Sequence, residues 1–134
     1  MPTIYYKIER NDINIQELYV YKMTTYEKNV SEPWFSLIHC GMKRVEGRLN
    51  KGDFAKMNIG DFIIFTNNEL GFERKLQIKI KHISYYDSFE TYLETETLEE
   101  CLPTVYNIED GLNVYYKYYN KSDEIEYGIK AFKF

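Results

Sequence analysis

At 134 residues the chain has the length of one domain, able to bury roughly two thirds of its unfolded surface without disulfides or metals. Apolar residues make up 44% and aromatic residues 17%, with 14 Tyr and 8 Phe, which excludes a disordered chain and predicts a core built largely from rings. A net charge of −4 argues against a protein that coats nucleic acid indiscriminately, because such binding rests on neutralised phosphates.

Ile4, Tyr6 and Ile8 alternate with polar or partly polar neighbours, Asn11-Asp12 signals a turn, and Glu17 to Met23 is rich in β-branched and aromatic residues. Residues 1–22 are therefore expected to add amino-terminal strands, as a hairpin, to a main body over 23–134. Ser31-Glu32-Pro33 predicts a helix start, with Ser31 offering its oxygen to free amides and proline tolerated in the first turn. The helix is expected over Glu32 to Cys40, ended by Gly41 in a left-handed cap. Lys43 to Leu49 then alternates as a strand, a polar loop around Gly52 follows, and Ile59-Gly60-Asp61 turns into Phe62-Ile63-Ile64-Phe65, an apolar strand expected to be buried on both faces. Asn67 to Gly71 reads as a hairpin loop, and Leu76, Ile78 and Ile80 alternate with Gln77, Lys79 and Lys81 as a strand with one wet face.

Ser88 is placed to cap a helix through Phe89, Tyr92 and Leu93, and Thr97-Leu98-Glu99-Glu100 forms a capping box for a second short helix that Pro103 ends. Ile108, Leu112, Tyr115, Tyr116 and Tyr119 recur on one helical stripe, so the tyrosines are expected in the core with satisfied hydroxyls. Asn120 to Asp123 is read as a turn, and Ile125, Tyr127, Ile129 and Ala131 as a closing strand. Phe132 and Phe134 break its parity, which predicts a bulge near Ala131 or burial on both faces. No repeat, low-complexity run or linker divides the chain, so a single domain over residues 1–134 is expected.

Charge is segregated along the sequence. Met42 to Lys56 carries Lys43, Arg44, Arg48, Lys51 and Lys56 against Glu46 and Asp53; Asp87 to Glu100 carries six carboxylates and no Lys or Arg. A basic and an acidic face can result, or simply two solvated surfaces. No stretch approaches the apolar length of a membrane helix and the amino terminus lacks a secretion signal, so an intracellular location, cytoplasmic or nuclear, and no membrane partner are expected. Cys40 and Cys101 lack paired spacing, which fits buried reduced thiols. His39, Cys40, His82 and Cys101 have no zinc-type spacing, and there is no phosphate-cradling glycine loop or dinucleotide fingerprint; no metal and no cofactor are expected.

Glu32-Pro33-Trp34-Phe35-Ser36-Leu37-Ile38 followed by Gly41-Met42-Lys43-Arg44-Val45-Glu46-Gly47-Arg48-Leu49 resembles the ASCH signature, a helix followed by G-x-K-x-x-E-x-R entering a strand. Ile59-Gly60-Asp61, Ser88 to Leu93, Leu102-Pro103 and Tyr127 to Phe132 look like further landmarks of that family. The resemblance implies an α+β fold, a PUA-like mixed β-barrel with short flanking helices around a cleft, in a family mostly linked to RNA.

Within this frame Arg48 offers a fork of donors to a phosphate or base edge, Glu46 can accept from an exocyclic amine, and Lys43 supplies a compact cation. The bland alternative is a surface ion-pair cluster. Three functions are open. The first is an RNA or nucleobase binder using Trp34, Gly41, Lys43, Arg44, Glu46, Arg48 and Lys51, with Trp34, Tyr85 or Tyr116 stacking a base. The second, suggested by family members that are acetylcytidine amidohydrolases or ribonucleases, is a small hydrolase in which Lys43 is a general base, Glu46 stands where the amidohydrolase pattern has a threonine, and Glu94 is an acid. The third is a protein-interaction module that docks the acidic helix 87–100 on a basic partner. Oligomeric state is not legible.

Overall fold

The computed structural model describes residues 2–11 and 14–134, with side chains from Met23 onward. Its strands are β1 (Pro2–Asn11), β2 (Asn14–Asn29), β3 (Val45–Leu49), β4 (Phe62–Asn67), β5 (Arg74–Lys79), β6 (His82–Tyr86) and β7 (Ile129–Lys133). Its helices are α1 (Trp34–His39), α2 (Gly52–Lys56), α3 (Phe89–Glu96), α4 (Leu98–Cys101), α5 (Ile108–Tyr116) and α6 (Lys121–Tyr127). The α+β class is as expected. Among the described residues the strands form two sheets rather than one closed barrel: a four-stranded sheet in the order β1-β2-β4-β5 and a three-stranded sheet in the order β3-β7-β6. No described helix is long and apolar enough to cross a membrane.

The amino-terminal strands pair antiparallel, as the alternation predicted, but β2 runs on to Asn29 and pairs in parallel with β4. The turn expected at Asn11-Asp12 falls outside the described residues. Two apolar clusters fill the space around the sheets. Val45, Leu49, Ile129 and Ala131 pack with Phe89, Tyr92, Leu93 and Tyr115 of α3 and α5. Val30, Phe35, Ile38, Met57, Ile63, Phe65, Ile80 and Phe132 form the other cluster. β7 serves both, so four of its five residues are buried and the parity break at Phe132 reflects burial on two faces, with the ladder unbroken and no bulge. β4 is less symmetric than its sequence suggests: Ile63 and Phe65 are fully buried, while Phe62 and Ile64 are only partly covered.

Three expectations are corrected. Pro33, not Ser31, stands at the N-cap of α1 and supplies no side-chain bond; the first turn is met instead by Glu32 just outside it, whose carboxylate accepts from the Ser36 amide at 2.8 Å and from the Ser36 hydroxyl at 2.5 Å. The polar loop at Gly52 is the short helix α2. The segment read as strand at Ile125 and Tyr127 is helix α6, capped by Asn120 accepting from the Asp123 amide at 2.8 Å. The alternation of Ile125 and Tyr127 mimicked a strand, but Ile125 is 83% exposed and the buried residue of the helix is Glu124. The capping signals at Ser88 and Thr97 are realised as read, and the strand β6, with its alternation too weak to register in sequence, completes the second sheet.

Glu124 ties α6 to α3. Its carboxylate accepts from the Phe89 amide at 2.9 Å and from the Tyr116 hydroxyl at 2.9 Å. Replacing Glu124 with Ala leaves a buried amide without an acceptor, for which a loss of roughly 1–3 kcal/mol is expected in urea unfolding. A loss below about 0.5 kcal/mol would mean that the tie is not stabilising.

Candidate functional site

Among the described residues β3 is an edge strand, with only β7 beside it. Its odd residues, Val45 and Leu49, point into the cluster beneath α3 and α5, and Gly47 lets the Tyr92 ring lie against the strand. Its even residues, Glu46 and Arg48, point the other way. Gly41, at φ +84°, ends α1, and the chain doubles back so that the Lys43 amide donates to Leu37 O at 2.9 Å. This turn drives the Lys43 side chain inward, leaving it 1% exposed. Opposite β3, the segment following β2 is pinned by Asn67, whose side-chain amide donates to Val30 O at 2.9 Å while its carbonyl accepts from Arg74 at 2.8 Å.

Between these parts lies a cavity of about 210 Å³. Lys43, Glu46 and Arg48 form its charged floor, Trp34 and Tyr115 its sides, and Tyr118 and Tyr119 its approach. The lining spans both apolar clusters, because the free edge of β3 is where they meet.

The floor is a linked charge array. Lys43 Nζ lies 3.3 Å from Glu46 Oε1, donates to Val45 O at 2.5 Å, and donates to Cys101 O on α4. Two carbonyls and a carboxylate thus surround the ammonium, which also lies beside Trp34, 5.9 Å from the ring centre. Glu46 Oε2 accepts from Arg48 Nε at 3.2 Å and Nη2 at 3.0 Å, and Nη2 also donates to Asn29 O at 3.1 Å. Burial opposes the charge on Glu46, but Lys43 and then Arg48 outweigh it and hold the carboxyl below its ordinary value. Burial likewise works against the Arg48 cation, and Glu46 overcomes it, raising the guanidinium further above its ordinary value. Both groups remain charged at neutral pH, leaving the floor with one net positive charge.

The walls are held rigidly. Phe89 stacks on Tyr115 at 4.5 Å between centres and on Tyr119 at 5.4 Å, and the Tyr115 hydroxyl bonds to that of Tyr92 at 2.9 Å. Burial pushes the phenols of Tyr92 and Tyr115 well above their ordinary value, so they stay neutral. Cys101 is buried as expected, its thiol pushed up to about 11 by desolvation, whereas Cys40 is exposed.

Of the residues singled out by sequence, the structure brings Trp34, Lys43, Glu46 and Arg48 to this cavity. Gly41 and Lys51 are exposed and do not line it; Lys51 lies over the Tyr127 ring at 5.1 Å. Arg44 is half-exposed and faces Glu100 at 3.9 Å. Glu94 is exposed on α3 and does not reach the cavity. Tyr85 is exposed elsewhere, and Tyr116 is bonded to Glu124. Tyr115, Tyr118, Tyr119 and Gly47 line the cavity without having been anticipated as site residues. Their helical spacing did place Tyr115 in the core, and it is both core and wall; no sequence signal distinguishes a ring that closes a core from one that also faces a hollow.

The ASCH domain family matches residues 29–134. The crystal structure of hypothetical protein PH0355 is 35% identical and superposes with a TM-score of 0.74, covering 82% of this chain and 96% of that one. The solution NMR structure of protein PF0455 from Pyrococcus furiosus is 36% identical with a TM-score of 0.67, covering 82% of this chain and 94% of that one. No curated protein matches the chain.

Proposed function

The chain belongs to the ASCH domain family, and from that premise we propose that it is an RNA- or nucleobase-binding domain that takes one flat polar heterocycle into the cavity at the edge of β3. ASCH domains are generally associated with RNA binding. The two sheets, sharing apolar clusters around this cavity, are read as an opened form of the PUA-like arrangement.

The observation that carries the proposal is the Glu46–Arg48 pair at the base of an aromatic-walled hollow, its carboxylate buried and its guanidinium partly covered. Buried ion pairs gain little for stability against an apolar replacement, so one that opens onto a cavity is better explained by a polar ligand. A volume of about 210 Å³ is below the roughly 300–1,000 Å³ of sites for drug-sized molecules, which suits one heterocycle rather than an oligonucleotide. Unpaired bases are what proteins read in RNA, by stacking on rings and by hydrogen bonds to base edges. The exposed Tyr118 at the approach provides a stacking face.

Binding is favoured over turnover. A lysine acting as general base must present its nitrogen to the substrate, and Lys43 Nζ is turned onto Val45 O, Cys101 O and the Glu46 carboxylate. Glu94 is too far out on α3 to share a reaction with it.

Titrating the protein with single-stranded RNA and with single nucleosides at low salt tests the proposal. Tyr118→Ala should weaken binding roughly 5- to 150-fold with the fold intact, since stacking is worth about 1–3 kcal/mol per base. Arg48→Ala should weaken it at least as much. Absence of binding by the unaltered protein, or affinity untouched by both substitutions, would sink the proposal.

A further inference from the structure

We propose that the backbone of Gly47, at the free edge of β3, reads the ligand's edge, and that the ring it selects carries a lactam, a carbonyl next to a ring N–H, as in uracil, guanine or hypoxanthine. The inference rests on the cavity being the ligand site and adds which atoms choose among ligands.

The direction of each peptide group in β3 follows from its ladder. Glu46 lies opposite Phe132 and Arg48 opposite Lys130, and the same ladder continues at both ends with Phe134 N donating to Arg44 O at 3.1 Å and Asn50 N donating to Gly128 O at 3.0 Å. In an antiparallel pair, alternate residues turn their N–H and C=O toward the partner strand. Residues 44, 46, 48 and 50 therefore face β7, and Val45, Gly47 and Leu49 face outward from the sheet. On that outer edge, Val45 O is taken by the Lys43 ammonium and Leu49 O by the Lys51 amide at 2.8 Å. Gly47 is buried and lines the cavity, and among the described residues neither its N–H nor its C=O has a partner.

A buried residue whose backbone N–H and C=O are both unmet is costly, and the partner it lacks has a definite form: an acceptor beside a donor, the pattern one strand offers another. A planar ring reproduces that pattern where a carbonyl adjoins an N–H, or where a ring nitrogen adjoins an amine. The charge of the floor separates the two. With Lys43 and Arg48 against Glu46 alone, the floor is net positive and favours the oxygen-rich edge. The lactam carbonyl then accepts from the Gly47 amide beside the Arg48 guanidinium, and the lactam N–H donates to Gly47 O.

The test is a ¹⁵N–¹H titration of the whole chain with uridine, 3-methyluridine and cytidine, following the Gly47 amide together with the Trp34 indole and Arg48 Nε signals. Uridine should move all three, with the Gly47 amide shifting downfield; 3-methyluridine, which lacks the donor, should bind about tenfold or more weakly. Uridine shifts at Trp34 and Arg48 with a stationary Gly47 amide would overturn the edge reading while leaving the cavity as the ligand site. Equal affinity for uridine and 3-methyluridine, or for uridine and cytidine, would overturn the lactam assignment. No shift at any of the three signals with any nucleoside would remove both this inference and the site on which it rests.

Discussion

Lys43→Ala should destabilise the protein by about 3–5 kcal/mol, because it breaks a buried ion pair from one side. The ammonium joins three parts of the molecule: the start of β3 through Val45 O, α4 through Cys101 O, and the floor of the cavity through Glu46. Its removal leaves two carbonyls without a donor and a carboxylate with Arg48 as its only neutralising partner. Lys43→Met keeps most of the apolar stem and should lose less than Lys43→Ala by the packing difference alone, which separates the charge from the volume. Adding Glu46→Gln to Lys43→Met should cost less than the sum of the single changes, since the carboxylate that needed the cation is gone. A loss under about 1 kcal/mol for Lys43→Ala in urea unfolding would show that the ammonium is not holding these parts together. The pH dependence has a fixed sign. Glu46 is held below its ordinary value of 4.5 in the folded state, so its contribution is fully present above pH 4.5 and is lost as the pH falls through the depressed folded value. In Lys43→Ala the strongest opposing charge is absent, so acid unfolding should begin at higher pH than in the unaltered protein.

The sequence displayed the local chemistry of this fold far better than its long-range pairing. Gly41, Ser88, Thr97 and Asn107 each act where they stand, and their caps form as read or as such residues generally do, because a cap is decided within a few residues. The parallel pairing of β2 with β4 joins residues 37 apart, such as Thr25 and Phe62, and no local pattern records it. α6 was misread for a related reason. The alternation of Ile125 with Tyr127 was read as a strand with one inner face, whereas the helix turns Glu124 inward to meet the Phe89 amide, a partner 35 residues away. The charged floor of the cavity was legible because G-x-K-x-x-E-x-R keeps Lys43, Glu46 and Arg48 within one short segment. Trp34, just ahead of that segment on α1, was legible with it, but the wall opposite comes from α5 and the residues after it, brought over by helix packing, so Tyr115 and Tyr119 read only as core. Lys43 itself is more deeply committed to structure than its motif suggests, buried and bonded to Val45 O and Cys101 O.

Gly47→Ala should be the most damaging single methyl that the chain can receive at the site. A Cβ at position 47 would stand 2.5 Å from Cζ of Tyr92 and 2.8 Å from its Cε2 and hydroxyl oxygen, well inside contact distance. Tyr92 is fully buried and cannot retreat, since Phe89, Tyr86 and Tyr115 surround its ring and the Tyr115 hydroxyl holds its own at 2.9 Å. Overpacking of this kind costs about 1–3 kcal/mol, and for a domain of this size a thermal midpoint lower by on the order of 10 °C is expected. Tyr92→Phe should not rescue Gly47→Ala, because the closest atom is a ring carbon that phenylalanine keeps. Tyr92→Leu should, in the sense that the double variant loses at least 1 kcal/mol less than the sum of the two single changes, a coupling in the range measured for residues in contact. Additive losses would mean that the strand shifts away from the ring instead of pressing on it. Such a shift would itself be visible at the cavity, because the same residue that must lack a side chain on its inner face turns its peptide edge toward the ligand: nucleoside affinity should fall with the strand's displacement even in molecules that remain folded.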